Sequence, residues 1–286
     1  MIQDFVKNLT QYNLTKSQIK IADYIVKNQK RIMNLTVREA GSEIGVSDAT
    51  IIRFARAVGY DGYTDLQEQI RRETEQKKEK IGKHSLSDRY TIQMQRYHLT
   101  EYTGNDMIKF MGMNLETSLR QNGEEVYEKI ANRILNARRK LIIGFRGGKG
   151  CALQFSRLLS HITEGVNCLT EEGHDQICKL AELDENDMVV FLNFSRYYKI
   201  DEKLGSMIGE KQIPCILITD SMASPLAKYA DEMLLVETEY CGFFHSMIGV
   251  QGVLEYLIIL MCWKKPEQFQ EKLKERDRIL SDYRVP

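Results

Sequence analysis

Apolar residues in the first 60 positions recur in steps of three and four. Ile19, Ala22, Ile25 and Val26 form one such stripe. Val37, Ala40, Gly41 and Ile44 form a second, and Ile51, Phe54, Ala55 and Val58 a third. This is the period of an α-helix with one buried face. Each stripe follows a capping residue. Thr15 with Gln18, and Thr36 with Glu39, read as capping boxes, and Ser47 caps the third helix. Gly45 and Gly59 end the second and third helices, where a left-handed residue is least costly as glycine. Val46 is expected to be a buried plug between them. A Gly turn and a further capping box within 60–67 launch a charged helix to about position 80. Positions 78–121 hold no proline and read as a helical connector whose apolar portion carries Met107, Phe110, Met111, Leu115 and Leu119. These residues are expected to pack on the second domain or on a partner chain. After a break at Asn122-Gly123, a helix over 124–139 is expected.

From position 141 the pattern changes. Short continuous apolar runs at 141–145, 166–170, 188–194, 214–220 and 232–237 alternate with helical segments. Those segments run to 161, then over 176–182, 200–209, 224–229 and 245–263. Strands buried on both faces read as unbroken apolar runs. The fold class is therefore an all-α helix-turn-helix domain plus a doubly wound α/β domain with a mainly parallel sheet. The expected domains are 1–77 for the helix-turn-helix, 78–123 for the connector, 124–268 for the α/β domain and 269–286 for a helical tail.

Composition narrows the classes. The chain has 286 residues, 43% of them apolar, which is enough for two cores and excludes global disorder. Lys+Arg and Asp+Glu balance at 40 each, which excludes a strongly basic coat. The balance is local, however. Through Lys83 there are 15 Lys/Arg against 11 Asp/Glu, and beyond it 25 against 29. A mildly basic head on a mildly acidic body suits a DNA reader. The longest apolar stretch, 247–263, is shorter than the roughly 20 residues of a bilayer span and reads as a buried helix. No signal peptide is apparent, and the six cysteines contain no Cys-x-x-Cys pair. They read as reduced core thiols of a cytoplasmic protein. His174 and Cys178 are spaced as half a metal site, but no second half is visible, so neither metal nor cofactor is expected.

Two short helices joined by a tight glycine turn form the pattern of a helix-turn-helix. Gly41 lets the pair approach closely. Thr36, Ser47, Asp48, Ala49, Thr50, Arg53 and Arg56 lie off the core stripes and are the candidate DNA-contacting residues. Ser47 and Thr50 sit at a helix start, which attracts phosphate, and the arginines reach base edges or backbone oxygens. A generic three-helix bundle with solvated arginines is the alternative. In the second domain, ligands bind beyond the carboxyl ends of the strands. That gathers the loops 144–150, 193–199 and 220–225. Gly147, Gly148 and Gly150 offer backbone N–H groups; Arg146, Lys149 and Arg196 offer charge; Ser195, Ser221 and Ser224 offer hydroxyls. This chemistry suits a phosphorylated or otherwise anionic small molecule. The loop is neither a Walker loop nor Gly-x-Gly-x-x-Gly.

The stretch from Leu35 to Leu66 resembles the RpiR family of bacterial transcriptional regulators. Gly45-Val46-Ser47, Ala49-Thr50, Arg53-Phe54, Val58-Gly59-Tyr60 and Gly62-Tyr63 carry the resemblance. Ala40-Gly41 stands where Leu-Ala is usual. The second domain resembles the sugar isomerase (SIS) domain of the same regulators. Ser224-Pro225-Leu226 with Ala230-Asp231 matches well, and Gly144-Phe145-Arg146-Gly147-Gly148 looks like a variant of the first ligand loop. Asn193-Phe194-Ser195-Arg196-Tyr197-Tyr198 stands where the family has Ser-x-Ser-Gly-x-Thr. Gly148 replaces a serine, and of the second loop's hydroxyls only Ser195 remains. The resemblance implies effector contacts at Gly144, Arg146, Gly147, Gly148, Asn193, Ser195, Arg196, Tyr197, Ser221 and Ser224. It implies a double-stranded DNA operator and a sugar phosphate or amino-sugar derivative as partners, with a homodimer or homotetramer and no enzymatic activity. The alternatives are an aldose–ketose isomerase, for which His245 and Glu255 are the candidate bases, and a ligand-binding protein without regulatory DNA binding.

Overall fold

The computed structural model describes residues 12, 14–82, 85–97, 103–240 and 242–281. The chain forms two compact units, Met1–Ser85 and Leu86–Pro286.

In the first unit, α1 (Lys16–Lys27) and α3 (Val37–Ile44) both open on the expected capping boxes. The short α2 (Gln29–Ile32) lies between them. Gly45 ends α3 at φ +73°, and Ser47 caps α4 (Asp48–Ala57). Ile21, Ile25, Ile44, Ile51, Phe54 and Leu66 close one apolar core with α5 (Tyr63–Gly82). A Cβ on Gly41 would stand 2.8 Å from the carbonyl oxygen of Val46, so the α3–α4 turn packs onto bare backbone. Val46 is half-buried rather than a plug, because the turn that carries it lies at the surface. Gln67 closes no capping box. Its amide donates to the carbonyls of Ile32 (2.7 Å) and Leu35 (2.8 Å), and the Tyr63 hydroxyl donates to Leu35 as well. These bonds satisfy the carbonyl at the end of α2 and one in the loop that follows it.

The second unit begins with α6 (Leu86–Tyr97), α7 (Gly104–Arg120) and α8 (Glu124–Asn136). Five parallel strands follow: β1 (Lys140–Gly144), β2 (Val166–Leu169), β3 (Met188–Leu192), β4 (Cys215–Thr219) and β5 (Glu232–Leu235). Their order is β2-β1-β3-β4-β5, with every neighbouring pair parallel. The intervening helices are α9 (Lys149–Leu159), α10 (His174–Ala181) and α11 (Lys199–Glu210). The segment expected to be helical over 224–229 is only a 3₁₀ turn, Ala227–Tyr229. α12 (Ile248–Lys264) and α13 (Pro266–Leu280) close the chain.

Alternating strand residues feed two cores. Ile142, Val190, Ile216 and Ile218 face Tyr127, Phe155 and Val253. Leu141, Ile143, Phe191 and Leu217 face Leu180, Leu204 and Ile208. The sheet is thus the middle of three layers, which is why its strands are apolar at every position. Phe110 of α7 is buried, and α7 packs along α12. Gly249 and Gly252 permit that approach, since a Cβ on them would meet Ser118 Oγ at 2.2 Å and Leu115 Cδ1 at 2.1 Å. Asn122 brackets the backbone of Leu235, donating to its carbonyl and accepting from its N–H, each at 2.9 Å. The segment 247–263 is not buried all round: Ile259 is 44% and Trp263 71% exposed, because only one face of α12 meets the domain. No helix among the described residues is long and apolar enough to cross a membrane.

Candidate functional site

The exposed side of α4 carries Ser47, Asp48, Ala49, Arg53 and Arg56, with Thr50 half-buried. Ser47 Oγ accepts from the Thr50 N–H at 3.3 Å and lies 2.8 Å from Thr50 Oγ1. Arg53 donates to the Ala49 carbonyl (3.2 Å) and to Thr50 Oγ1 (3.4 Å), which lays its guanidinium along the first turn of α4. Arg56 donates to the Asp61 carbonyl at 3.2 Å. Both arginines lean on acceptors without a carboxylate partner among the described residues, so their charge is not neutralised. Thr36 is different: its hydroxyl and N–H both engage Glu39 as the cap of α3. Arg31, unlike Arg53 and Arg56, is neutralised by a pairing with Glu43 at 2.7 Å.

In the second unit the strand order reverses between β1 and β3. The crevice at their carboxyl ends is the switch point where ligands enter such sheets. The loops after β1 and β3 border it. Gly144 is required there: a Cβ would meet Ala152 Cβ at 2.6 Å and the Gly148 carbonyl at 2.9 Å. Arg146 holds φ +51° and Arg196 φ +77°, left-handed conformations that side chains rarely adopt and that often mark functional loops. Arg146 is fully engaged. It pairs with Glu172, donates to buried Asp201 at 2.7 Å and lies 4.0 Å over the Tyr198 ring. Lys149 pairs with Glu171. The two cations of the first loop are therefore neutralised by neighbouring acids, which the spacing of the residues did not reveal.

A second set of polar groups gathers around Asp220, which directly follows β4. Ser195 donates from both its N–H and its hydroxyl to Asp220, at 2.9 and 2.6 Å. Tyr197 OH approaches the same carboxylate at 3.5 Å; burial, then the Asp220 charge, pushes its phenol well above the usual range. Thr238 Oγ1 donates to Asp220 at 3.0 Å and lies 3.3 Å from His245 Nδ1. His245 Nε2 lies 3.3 Å from the guanidinium of Arg89 on α6. An arginine can only donate, so Nε2 accepts. His245 is then the neutral tautomer with its proton on Nδ1. Burial, above all, depresses its pKa; Asp220 opposes that and Arg89 adds to it. Arg89 is 1% exposed, and burial lowers its own pKa, with the Tyr240 and Asp220 charges opposing and Arg196 reinforcing. Asn193, 3% exposed, donates to Asp201 at 3.0 Å, while its Oδ1 has no hydrogen-bond partner among the described residues.

The loops expected to converge thus do so around Asp220 and Asp201, not around an empty glycine cradle. Ser221 and Ser224 turn inward, accepting from Ala223 (3.1 Å) and Leu226 (3.3 Å) to shape their own turn. Gly147 is exposed and a Cβ there would meet little, whereas on Gly148 it would crowd Phe194 at 3.3 Å. Sequence reasoning missed Arg89 because it lies on a helix outside the strand–helix repeat. Glu255 is exposed and accepts from Gln251 at 2.8 Å. His174 Nε2 and Cys178 Sγ lie 3.6 Å apart, and no cluster of three metal-ligating side chains occurs among the described residues. Cys151 and Cys215 are buried as expected; Cys178 is exposed instead, on the outer face of α10.

Comparison with known proteins gives matches in both units. The family model described as a helix-turn-helix domain of the rpiR family matches residues 7–77, and the SIS domain model matches 133–254. An uncharacterized HTH-type transcriptional regulator of Caldanaerobacter subterraneus subsp. tengcongensis is 25% identical, with 94% of this chain and 93% of that protein covered. One of Clostridium perfringens is 22% identical over 95% and 96%. The sugar isomerase domain of an RpiR transcription factor from Sphaerobacter thermophilus superposes with a TM-score of 0.56 at 25% identity, covering 60% of this chain and 96% of that one. The Vibrio vulnificus NanR protein complexed with ManNAc-6P shares the fold, with a TM-score of 0.54 at 17% identity and coverage of 100% and 99%.

Proposed function

Since this chain belongs to the RpiR family of transcriptional regulators, we propose that α4 reads an operator in duplex DNA while the SIS domain senses an anionic carbohydrate metabolite at the carboxyl edge of its sheet. Ser47, Asp48, Ala49, Thr50, Arg53 and Arg56 make the DNA contacts in this reading. Thr36 assists at the start of α3, where its N-terminal turn favours a phosphate.

The observation that carries the effector reading is the hydrogen-bonded chain Arg89–His245–Thr238–Asp220 beyond the carboxyl ends of β4 and β5. In this reading Arg89, beside a neutral imidazole, and Arg196 supply the positive charge that an anion meets. Asn193 and Ser195 then meet its hydroxyls, with the turn of Ser221 and Ser224 shaping the wall. Arg146, Gly144, Gly147 and Gly148 hold the first loop's form, and Arg146 contacts ligand only after exchanging a carboxylate. ManNAc-6P in the NanR neighbour supports a hexosamine 6-phosphate as the ligand class to test first. The relay also speaks against isomerase chemistry. A general base needs a free lone pair near the reacting carbon, and His245 Nε2 already faces Arg89 while Glu255 faces solvent.

Self-association is part of the same reading. Ile259 and Trp263 lie one turn apart on α12 with their side chains exposed, the surface a homodimer or homotetramer would cover. A cytoplasmic location follows from a DNA partner. The test is calorimetric titration of the full chain with a hexose and hexosamine phosphate panel, beside Arg89→Met. Binding by the native chain and its loss in the variant are expected. A sugar phosphate that binds both equally removes Arg89 from the site.

A further inference from the structure

The amino ends of the strands, on the opposite edge of the sheet from the switch point, hold a cavity of about 280 Å³. Leu135, Ile162 and Phe269 supply apolar wall, and Lys140, Lys265 and Lys272 supply charge. Lys140 is the first residue of β1 and only 2% exposed. Its ammonium donates to Thr163 Oγ1 (2.9 Å) and to the Glu164 carbonyl (3.0 Å). A lysine ammonium has three N–H donors, so one is left over. Among the described residues no carboxylate lies within ion-pair distance of it.

A buried lysine without a counter-ion is costly unless something else supplies negative charge. The neighbours do not supply it. Glu164 turns its carboxylate outward to Lys272 at 3.2 Å and is 90% exposed. Arg138, at the rim, is already neutralised by Asp184 and Asp187. Burial lowers the Lys140 pKa, Lys272 lowers it further, Glu164 opposes and Lys265 adds to the fall. Three ammonium groups thus stand against one acid around a hollow whose wall is mostly polar and in part apolar.

We propose that this cavity is a second small-molecule site, distinct from the switch-point crevice, for a phosphate monoester with a compact apolar body. The excess of two positive charges matches a phosphate dianion. The third Lys140 N–H, Lys265 and Lys272 hold its oxygens, and the apolar group lies on Leu135, Ile162 and Phe269.

The test is titration of the full chain at pH 8 with phenyl phosphate, inorganic phosphate and benzoate. Phenyl phosphate is expected to bind more tightly than either of the others. Lys140→Met keeps the stem and removes the charge. Lys265→Ala with Lys272→Ala removes the other two cations, one exposed and one half-buried, and spares the strand, so the proposal stays testable if Lys140→Met does not fold. Each is expected to weaken phenyl phosphate at least tenfold, about 1.4 kcal/mol. Arg196→Ala, at the other edge, is expected to leave that affinity unchanged. Absence of binding to the native chain up to about 10 mM, equal affinity in the folded lysine variants, or loss in Arg196→Ala instead would each overturn the proposal.

Discussion

Single residues set the chemistry of both candidate sites. Arg53 and Thr50 share a hydrogen bond on the exposed face of α4. Replacing both by alanine is expected to cost about 1–3 kcal/mol for each base edge no longer read, and to reduce the salt slope of DNA binding if a phosphate is released too. Anisotropy on operator DNA at several salt concentrations measures both; an unchanged affinity would remove these residues from the interface. His245 carries a prediction in pH. Its pKa is depressed in the folded chain, chiefly by burial, so the unfolded chain binds the proton first. The neutral form's contribution to stability is complete above the ordinary histidine range, near 6.5, and is lost as pH falls toward and through the lower folded value. Urea unfolding of His245→Gln is therefore expected to show a shallower loss of stability below pH 6.5 than the native chain. Identical slopes would contradict the neutral-tautomer assignment.

At the scale of elements, two close approaches at glycine decide whether helices can meet. Gly41 packs on the Val46 carbonyl and Gly249 on Ser118 and the Glu237 carbonyl. Gly41→Leu is expected to destabilise the first unit by about 1–3 kcal/mol or more, because backbone cannot move aside as a side chain can. Gly249→Leu is expected to do the same to the second unit, and chemical denaturation reads each. The first of these was legible in the sequence, since Gly41 falls within a capped helix that a tight turn joins to the next. The second was not, because nothing in the connector's stripe of Met107, Phe110 and Leu115 says which helix it faces. The strands were legible for the same reason that caps were: an unbroken apolar run has one comfortable place, the middle layer. Helix edges drifted where termini lack a side-chain cap, as at α12, which starts after His245 rather than on it. Ion pairing was the least legible feature. Glu171, Glu172 and Asp201 stand 22 to 55 positions from the cations they neutralise, so Arg146 and Lys149 looked available.

For the whole molecule, the proposed function joins a DNA-reading helix-turn-helix unit to an SIS domain that senses a metabolite. Arg89 stands four positions after the chain leaves the first unit and belongs to the buried relay of the second. In the proposed function a ligand that engages Arg89 therefore does so close, along the chain, to the end of the first unit. Coupling of this kind is worth about 1–3 kcal/mol, or 5–150-fold in affinity. The measurement that bears most directly on it is fluorescence anisotropy of a labelled duplex from the upstream region of the protein's own locus. The full chain is titrated with and without a saturating sugar phosphate chosen by calorimetry. Effector sensing through Arg89 predicts a change in DNA affinity of at least about fivefold, absent in Arg89→Met. The same affinity with and without every sugar phosphate that binds the native chain would contradict it.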